Sequence, residues 1–560
     1  MDDYTGAISD KFNHWDWAVV GGYLLLTTLV GHLMRGKQAS IRDFFLGGRS
    51  LPWPAVAGSI IATEISGVTF IGVPGMLFAM EGNFTYLQWA LGSILARVLV
   101  ALFFTRVYYE REIYSPYDYM GLRLGRAAKT LATVLFTIGS ILAQSVRVLV
   151  AAIPLRVVTG LEMEVCIVVI GLFAVVWTLM GGMRTVIWTD VMQFLLFALG
   201  GVLAFVWVIN SLDGGFGEFW RTASEFHRLD VLNLELKADL EFTLWVALLA
   251  VPFQNLGIYG TDQLMAQRMF CCKDARSAGK AIVLSCAGQF LTVLMLMVGA
   301  ALFVHYNEKP FTDLELATVF ESTVEKVPEI RESAHFIVNP DTGAASRVIE
   351  PAKHDYVFPM WIVTVLPAGL SGLILAAVFA AAISSLDSIL AALSQTTLSL
   401  LYHPEHGEVK ISEKSLLNRS RALVVFWGLV LTGFTLLLKA ARNDIPILPL
   451  AFGMTSYTVG PLLAMFLAAL WGRGNLNGLI VGAALSFLLV LLVRTDVWVL
   501  FIRAGWIEPE TLARLPTYQL NGDGTGIASR IASAWMWPLT TILTFACGLL
   551  PVGDRKASDA

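Results

Sequence analysis

Apolar runs of roughly twenty residues, separated by short polar segments, recur along the 560-residue chain. A helix needs about 20 apolar residues to cross the hydrocarbon of a bilayer. Hydropathy on that scale predicts thirteen spans, near 15–34, 53–80, 84–108, 128–158, 164–180, 186–210, 242–262, 280–304, 361–402, 420–440, 446–470, 476–494 and 531–551. The ninth is overlong and is expected to open with a short helix broken at Pro367. Setting aside the first span and the last two leaves ten, which divide five and five. An odd number of crossings per half inverts the second half. The first member of each half is interrupted. ATEISGVTFIGVPG carries Gly67, Gly72, Pro74 and Gly75, and VPFQNLGIYGTDQ carries Pro252, Gly257 and Gly260. Paired broken helices point to a midplane binding site, although Gly and Pro also recur in ordinary membrane helices.

Within the ninth span, AAVFAAAISSLDS (376–388) stands out. At about 100° per residue, Ala381, Ser384, Ser385 and Ser388 share one arc of the helix, with Asp387 on its flank. Small residues allow a neighbouring helix to approach closely, and hydroxyls supply oxygen ligands for a hard cation. A helix–helix seam and an ion site both fit this pattern. An acid at membrane depth favours the functional reading.

Composition agrees: 56% of residues are hydrophobic and 15% charged, which places the chain among polytopic membrane proteins. Lys and Arg are scattered through short loops, so nucleic acid is not an expected partner; the bilayer is. The five cysteines form no CxxC and no disulfide framework. Asp2, Asp3 and Asp10 precede the first apolar run, where a cleavable signal would carry basic residues. Basic residues concentrate in alternate loops, among them Arg35, Arg106, Arg184, Arg268, Lys273 and Arg419. The positive-inside rule then puts the N-terminus outside and the C-terminus in the cytosol of a multi-pass cell-membrane protein. The 305–360 loop reads either as an extracellular cap or gate or as a tolerated surface insertion. The expected division is an extra N-terminal helix and cytosolic loop (1–52), a ten-helix core (53–470, repeats 53–210 and 242–470) and two extra helices (471–560), with no soluble domain appended.

Four blocks then carry a resemblance: FFLGGRSLPWPAVAGSIIATEISGVTFIGVPG (44–75), GGMRTVIWTDVMQF (181–194), YGTDQLMAQRMFCCKD (259–274) and GLILAAVFAAAISSLDSILAALS (372–394). Together and in this order they resemble the sodium:solute symporter family, which includes sodium–glucose, sodium–proline, sodium–iodide and sodium–monocarboxylate carriers. The resemblance implies an all-α membrane protein of the LeuT type, with two inverted five-helix repeats. It implies a sodium ion held by the carbonyls of Ala62, Ile65 and Ala381 and the hydroxyls of Ser384 and Ser385. Unwinding near 65–67 would free carbonyls for such an ion. Some members bind a second sodium, for which the matching residues are Asp190, Ser385 and Ser388, with Asp387 alongside. Asp190 also has a plainer reading, as an acid in the first turn of a helix.

Two departures bear on the solute. Sugar carriers have Asn-Gln-Tyr where this chain has Asp262, Gln263 and Leu264, and Glu64 replaces a neutral amide. SPYDYMGLRLG (115–125) and the FIGVPG segment look more like the iodide, monocarboxylate and vitamin branch. Candidate solute-binding residues are Thr63, Glu64, Ser66 and Thr69 on the broken helix, with Gln88, Gln144, Arg147, Gln254, Asn255 and Asp262. Arg147 lies mid-span, where a guanidinium must be paired. Its partner is either Glu64 or the carboxylate of a solute, which a guanidinium can grip with two parallel bonds. The expected function is sodium-coupled import of a small organic solute by alternating access, with an anion such as a carboxylate favoured over a sugar or other neutral solute. A membrane enzyme or a sensor fits less well, because the histidines His14, His32, His305, His354, His403 and His406 form no catalytic constellation.

Overall fold

A computed structural model describes residues 8–34, 45–110, 113, 115–180, 182–401, 413–442, 447–521, 524 and 526–550. It is built almost wholly of helices. The principal ones are α1 (His14–Met34), α2 (Trp53–Glu64), α3 (Val68–Phe78), α4 (Phe84–Glu110), α5 (Arg126–Thr159), α6 (Met163–Met180) and α7 (Met183–Asn210). Then follow α8 (Leu244–Thr261), α9 (Gln263–Phe270), α10 (Ala275–Glu308), α11 (Leu370–Leu401), α12 (Glu413–Arg442), α13 (Ile447–Trp471), α14 (Leu476–Val493) and α15 (Met536–Leu549). Among the described residues ten helices are long and apolar enough to span a membrane, and the bent pair α2–α3 makes eleven. The fifth and thirteenth expected spans fall on the shorter apolar helices α6 and α15. The ninth is preceded by a separate helix, Val357–Val365, and the chain turns at Pro367, whose carbonyl accepts from Leu370 and Ser371.

Both interruptions read from the sequence are real. α2 and α3 meet at 55°, and Ile65 between them leaves helical geometry at φ −77°, ψ 84°. In the second half a π-turn over Gly257–Thr261 ends at Asp262, which is extended at φ −77°, ψ 130°. Asp262 then caps α9 by accepting from Leu264 N at 2.7 Å. Gly260 is required here by closeness: a Cβ would stand 2.3 Å from the Phe104 ring.

The centre of the molecule is α11, almost entirely buried. Its small residues let neighbours approach at the α2–α3 break and on α7. A Cβ on Gly67 would lie 3.5 Å from Ala382 Cβ, and one on Gly200 would lie 2.7 Å from Ala377 Cβ. The seam reading of this stretch is therefore correct for its alanines, while its hydroxyls face elsewhere.

The segment between α10 and α11 is an ordered cap. It holds helices Asp313–Val319 and Val327–Ser333 and a hairpin of β1 (Phe336–Val338) and β2 (Ala345–Ile349). Four contacts seat it on the helix ends: Glu321 with Arg156 at 3.3 Å, Glu350 Oε1 with Met80 N at 3.1 Å, Asp341 with His227 at 2.8 Å and Asp355 Oδ2 with Ile447 N at 3.1 Å. A second small hairpin, β3 (Tyr518–Leu520) with β4 (Ile527–Ser529), precedes α15.

Candidate functional site

The broken end of α2 faces the hydroxyl-bearing turn of α11. A helix that stops in mid-membrane leaves its last carbonyls without intrahelical partners. Here the chain supplies substitutes. Ser384 Oγ donates to Ala62 O at 2.8 Å and lies 3.3 Å from Ala381 O. Arg147 Nη1 donates to Thr63 O at 3.3 Å. Ser66 Oγ accepts from Val68 N at 3.3 Å, and Ser66 O accepts from Thr69 N at 2.9 Å, starting α3 again. Of the five expected sodium ligands, the Ala62 and Ala381 carbonyls are thus each within hydrogen-bond distance of the Ser384 hydroxyl. Ser385 is buried on the next position and donates to Ala382 O at 3.0 Å; Ile65 is buried at the break itself. The cluster offers neutral oxygens only, the donor set that suits a hard, singly charged cation.

The second constellation is also assembled, with an unexpected member. Asp190 on α7, Ser388 and Asp387 on α11 and Ser59 on α2 meet in the interior, all at most 1% exposed. Ser59 Oγ donates to Asp190 Oδ2 at 2.5 Å, and Ser388 Oγ donates to Asp387 Oδ1 at 2.9 Å. Among them lies the Arg268 guanidinium. It donates to Asp190 Oδ2 and Ser59 Oγ, each at 2.9 Å, to Leu264 O at 2.8 Å and to Ser388 Oγ. Arg268 therefore does not belong with the loop cations used for orientation. It sits on α9, 1% exposed, where its charge needs a buried partner. The sequence signal was its place inside the 259–274 block, four residues before the nearest loop lysine's neighbour Cys272. Asp190 Oδ1 and Asp387 Oδ2 are buried without a hydrogen-bond partner among the described residues, so the acid excess is not fully met by one guanidinium.

The expected Arg147–Glu64 pair is not formed. Glu64 is held by Arg97 Nη2 and by Gln289 Nε2 at 3.2 Å. Arg97 is fully buried on α4 and also donates to Tyr259 Oη at 2.7 Å and to Ser285 and Ser93 Oγ, both at 3.1 Å. It stands beside the α2 terminus and holds Glu64 through Oε1, the oxygen that Gln289 also reaches, while Oε2 has no partner among the described residues. Arg147 instead lines a cavity of about 70 Å³ with Gln144, Gly257, Asp262, Thr455 and Thr458. Its bond to Thr63 O is its only hydrogen bond among the described residues, where it also forms no ion pair. Gln144 Oε1 is likewise without a partner there. Of the ten candidate solute residues, Gln144, Arg147 and Asp262 share this cavity, and Thr63, outside its lining, accepts from Arg147 through its carbonyl. Gln88 is occupied by Thr85 O, Phe242 O and Asn233 N. Asn255 is bonded to Ser93 and Val251 O, and Gln254 to Thr455 at 3.5 Å. Glu64, Ser66 and Thr69 lie on the broken helix outside the cavity lining.

A broken helix presenting carbonyls to a hydroxyl-bearing partner helix, beside a polar cavity in an otherwise apolar helix bundle, is the arrangement of a secondary carrier. The family model for the sodium:solute symporter family matches residues 44–317 and 332–485. The chain belongs to that family, and it is a sodium-coupled solute symporter of the LeuT fold with sodium as its coupling ion. It is similar to the sodium/sialic acid symporter SiaT of Proteus mirabilis (strain HI4320), 26% identical over 86% of this chain and 90% of that protein. It is 27% identical to the sodium/iodide cotransporter of Homo sapiens, over 86% of this chain and 70% of the other. A solved structure of a Na+-coupled sialic acid symporter in a substrate-bound outward-open state shares the fold at TM-score 0.74, with 22% identity and 96% and 97% of the two chains covered. Family and relatives are transporters, not enzymes.

Proposed function

We propose that the solute is a small organic anion, a carboxylate, gripped by Arg147 in the cavity beside the break. One observation carries this reading: Arg147 faces the cavity with most of its donors uncommitted, while Glu64, the internal acid that could have neutralised it, is bound to Arg97. Asp262 on the same cavity makes no direct ion pair with Arg147 among the described residues; a buried guanidinium without such a pair is costly, and a solute carboxylate would meet that need. Gln144 would add a hydrogen bond. The solutes named for the two relatives, sialic acid and iodide, support an anion. Asp262 on the same cavity favours a solute that also carries a hydrogen-bond donor, an amine or a hydroxyl, turned away from the arginine.

In this reading sodium binds between Ala62, Ile65, Ala381, Ser384 and Ser385, and its inward gradient drives import through the core 53–470. The cap face would be extracellular, as the positive-inside pattern implies. Asp190, Ser388 and Asp387 would receive a second ion only when Arg268 moves off them, which makes a single sodium per cycle the simpler stoichiometry.

The test is a thermal-shift screen of the purified protein against carboxylates and neutral sugars, in sodium and in potassium, followed by Arg147→Lys. Carboxylates should stabilise in sodium only, and Arg147→Lys should weaken the identified solute while sodium stabilisation persists. A neutral sugar as the ligand, or undiminished binding by Arg147→Lys, would overturn the assignment.

A further inference from the structure

α1 lies outside the ten-helix core, yet it touches α11, which carries Ser384 and Ser385, and α7, which carries Asp190. Its Asp16 is fully buried. Oδ1 accepts from Gly369 N at 2.7 Å, Ser371 Oγ at 2.6 Å and Gly372 N at 2.9 Å. Oδ2 accepts from Asn13 N at 3.1 Å, which fixes the carboxylate on its own helix. These three donors are the N-terminus of α11, which has no acid of its own in its first turn. The first amides of any helix need acceptors, and a negative charge there opposes the helix dipole favourably. α1 supplies both from another part of the chain. The approach is close enough to demand glycine: a Cβ on Gly372 would stand 2.6 Å from Asp16 Cα and O. At its other end α1 meets α7. Thr185 Oγ1 donates to Gly31 O at 3.3 Å, and a Cβ on Gly31 would touch the methyls of Thr185 and Thr189. Thr189 directly precedes Asp190.

We propose that Asp16 is a positioning residue for sodium binding. Through it α1 acts as a brace that fixes α11 against α7, and so sets where Ser384 and Ser385 stand relative to the Ala62 carbonyl. The hydroxyls reach the ion only if α11 keeps its axial position. That position is set at its N-terminus by the carboxylate and along its length by the seam with α7. This inference rests on the sodium site as read above.

The experiment uses the full-length protein and the sodium dependence of its thermal stabilisation, at constant ionic strength with potassium as replacement. Asp16→Ala should raise half-saturating sodium roughly fivefold, the equivalent of one lost cap. Asp16→Asn keeps an oxygen for the three donors and should restore the value to within about twofold. If Asp16→Ala does not accumulate, Gly372→Ala, whose single methyl forces α1 off α11, gives the same readout and the same expected direction. A lower unfolding temperature with unchanged half-saturation would overturn the proposal and leave Asp16 a purely structural cap. Ser384→Ala measured alongside separates the two levels. If it alone raises half-saturation, the brace fails and the site stands; if neither variant does, the site itself is elsewhere.

Discussion

Replacing Ser384 by alanine exposes the two tasks of one hydroxyl. Without sodium, Ser384 Oγ satisfies the Ala62 carbonyl at 2.8 Å at the broken end of α2. A hydrogen bond of this kind is worth about 0.5–1.5 kcal/mol net, so the ion-free variant loses about 1 kcal/mol of stability. In the proposed site the same oxygen would be a ligand when sodium is bound, and leaving a buried charged partner short of it would cost about 1–3 kcal/mol. Affinity reports the difference between the two losses, up to about 2 kcal/mol, a rise of up to roughly thirtyfold in half-saturating sodium. Ser385 donates only within its own helix, to Ala382 O at 3.0 Å, so its removal costs the ion-free state less and a larger share of the loss appears as affinity. The assay is sodium-dependent uptake into proteoliposomes, paired with thermal unfolding in the absence of sodium. The reasoning is refuted if Ser384→Ala unfolds at a lower temperature but keeps wild-type sodium dependence, because the hydroxyl would then serve the helix break alone.

Neutralising either Asp190 or Arg268 alone strands a buried charge and should cost about 3–5 kcal/mol, while Asp190→Asn combined with Arg268→Met should cost less than the sum; additive losses in thermal unfolding would mean the two do not act as a pair. Where the cap meets the 226–230 loop, Asp230 of that loop and Asp341 of the cap bond both nitrogens of His227 and hold its pKa above the ordinary imidazole value. The stabilisation is therefore present in full below the ordinary value and is lost as pH rises through the raised one. His227→Gln should lower the unfolding temperature at about pH 5 and match the wild type at about pH 9; a deficit independent of pH would assign the loss to shape instead of charge.

Much of this architecture was written in the sequence because the bilayer makes the code simple. A span must be long and apolar, so thirteen segments could be placed, and even the break at Pro367 before α11 was legible. Gly67 marked the first interruption; Gly257 and Gly260 marked the second, where a Cβ would stand 2.5 Å from Val459 and 2.3 Å from Phe104. The meeting of Ala62 with Ser384 was legible through the family resemblance of the 44–75 and 372–394 blocks, with which an interrupted helix and a hydroxyl-rich face agree. What the sequence could not assign was the pairing of its buried charges. Glu64 had two arginines within reach along the chain order, Arg97 and Arg147, and only the packing of α4 against the end of α2 decided for Arg97. Arg268 read as a loop cation because positive charges are counted by position in the chain, whereas the turn at Asp262 carries α9 back into the interior beside Asp190. Asp16 gave no sign of capping a helix more than 350 residues away. Hydropathy is a property of each segment and can be read one segment at a time. The partner of a buried charge is a property of two segments, and it exists only once tertiary packing has brought them together.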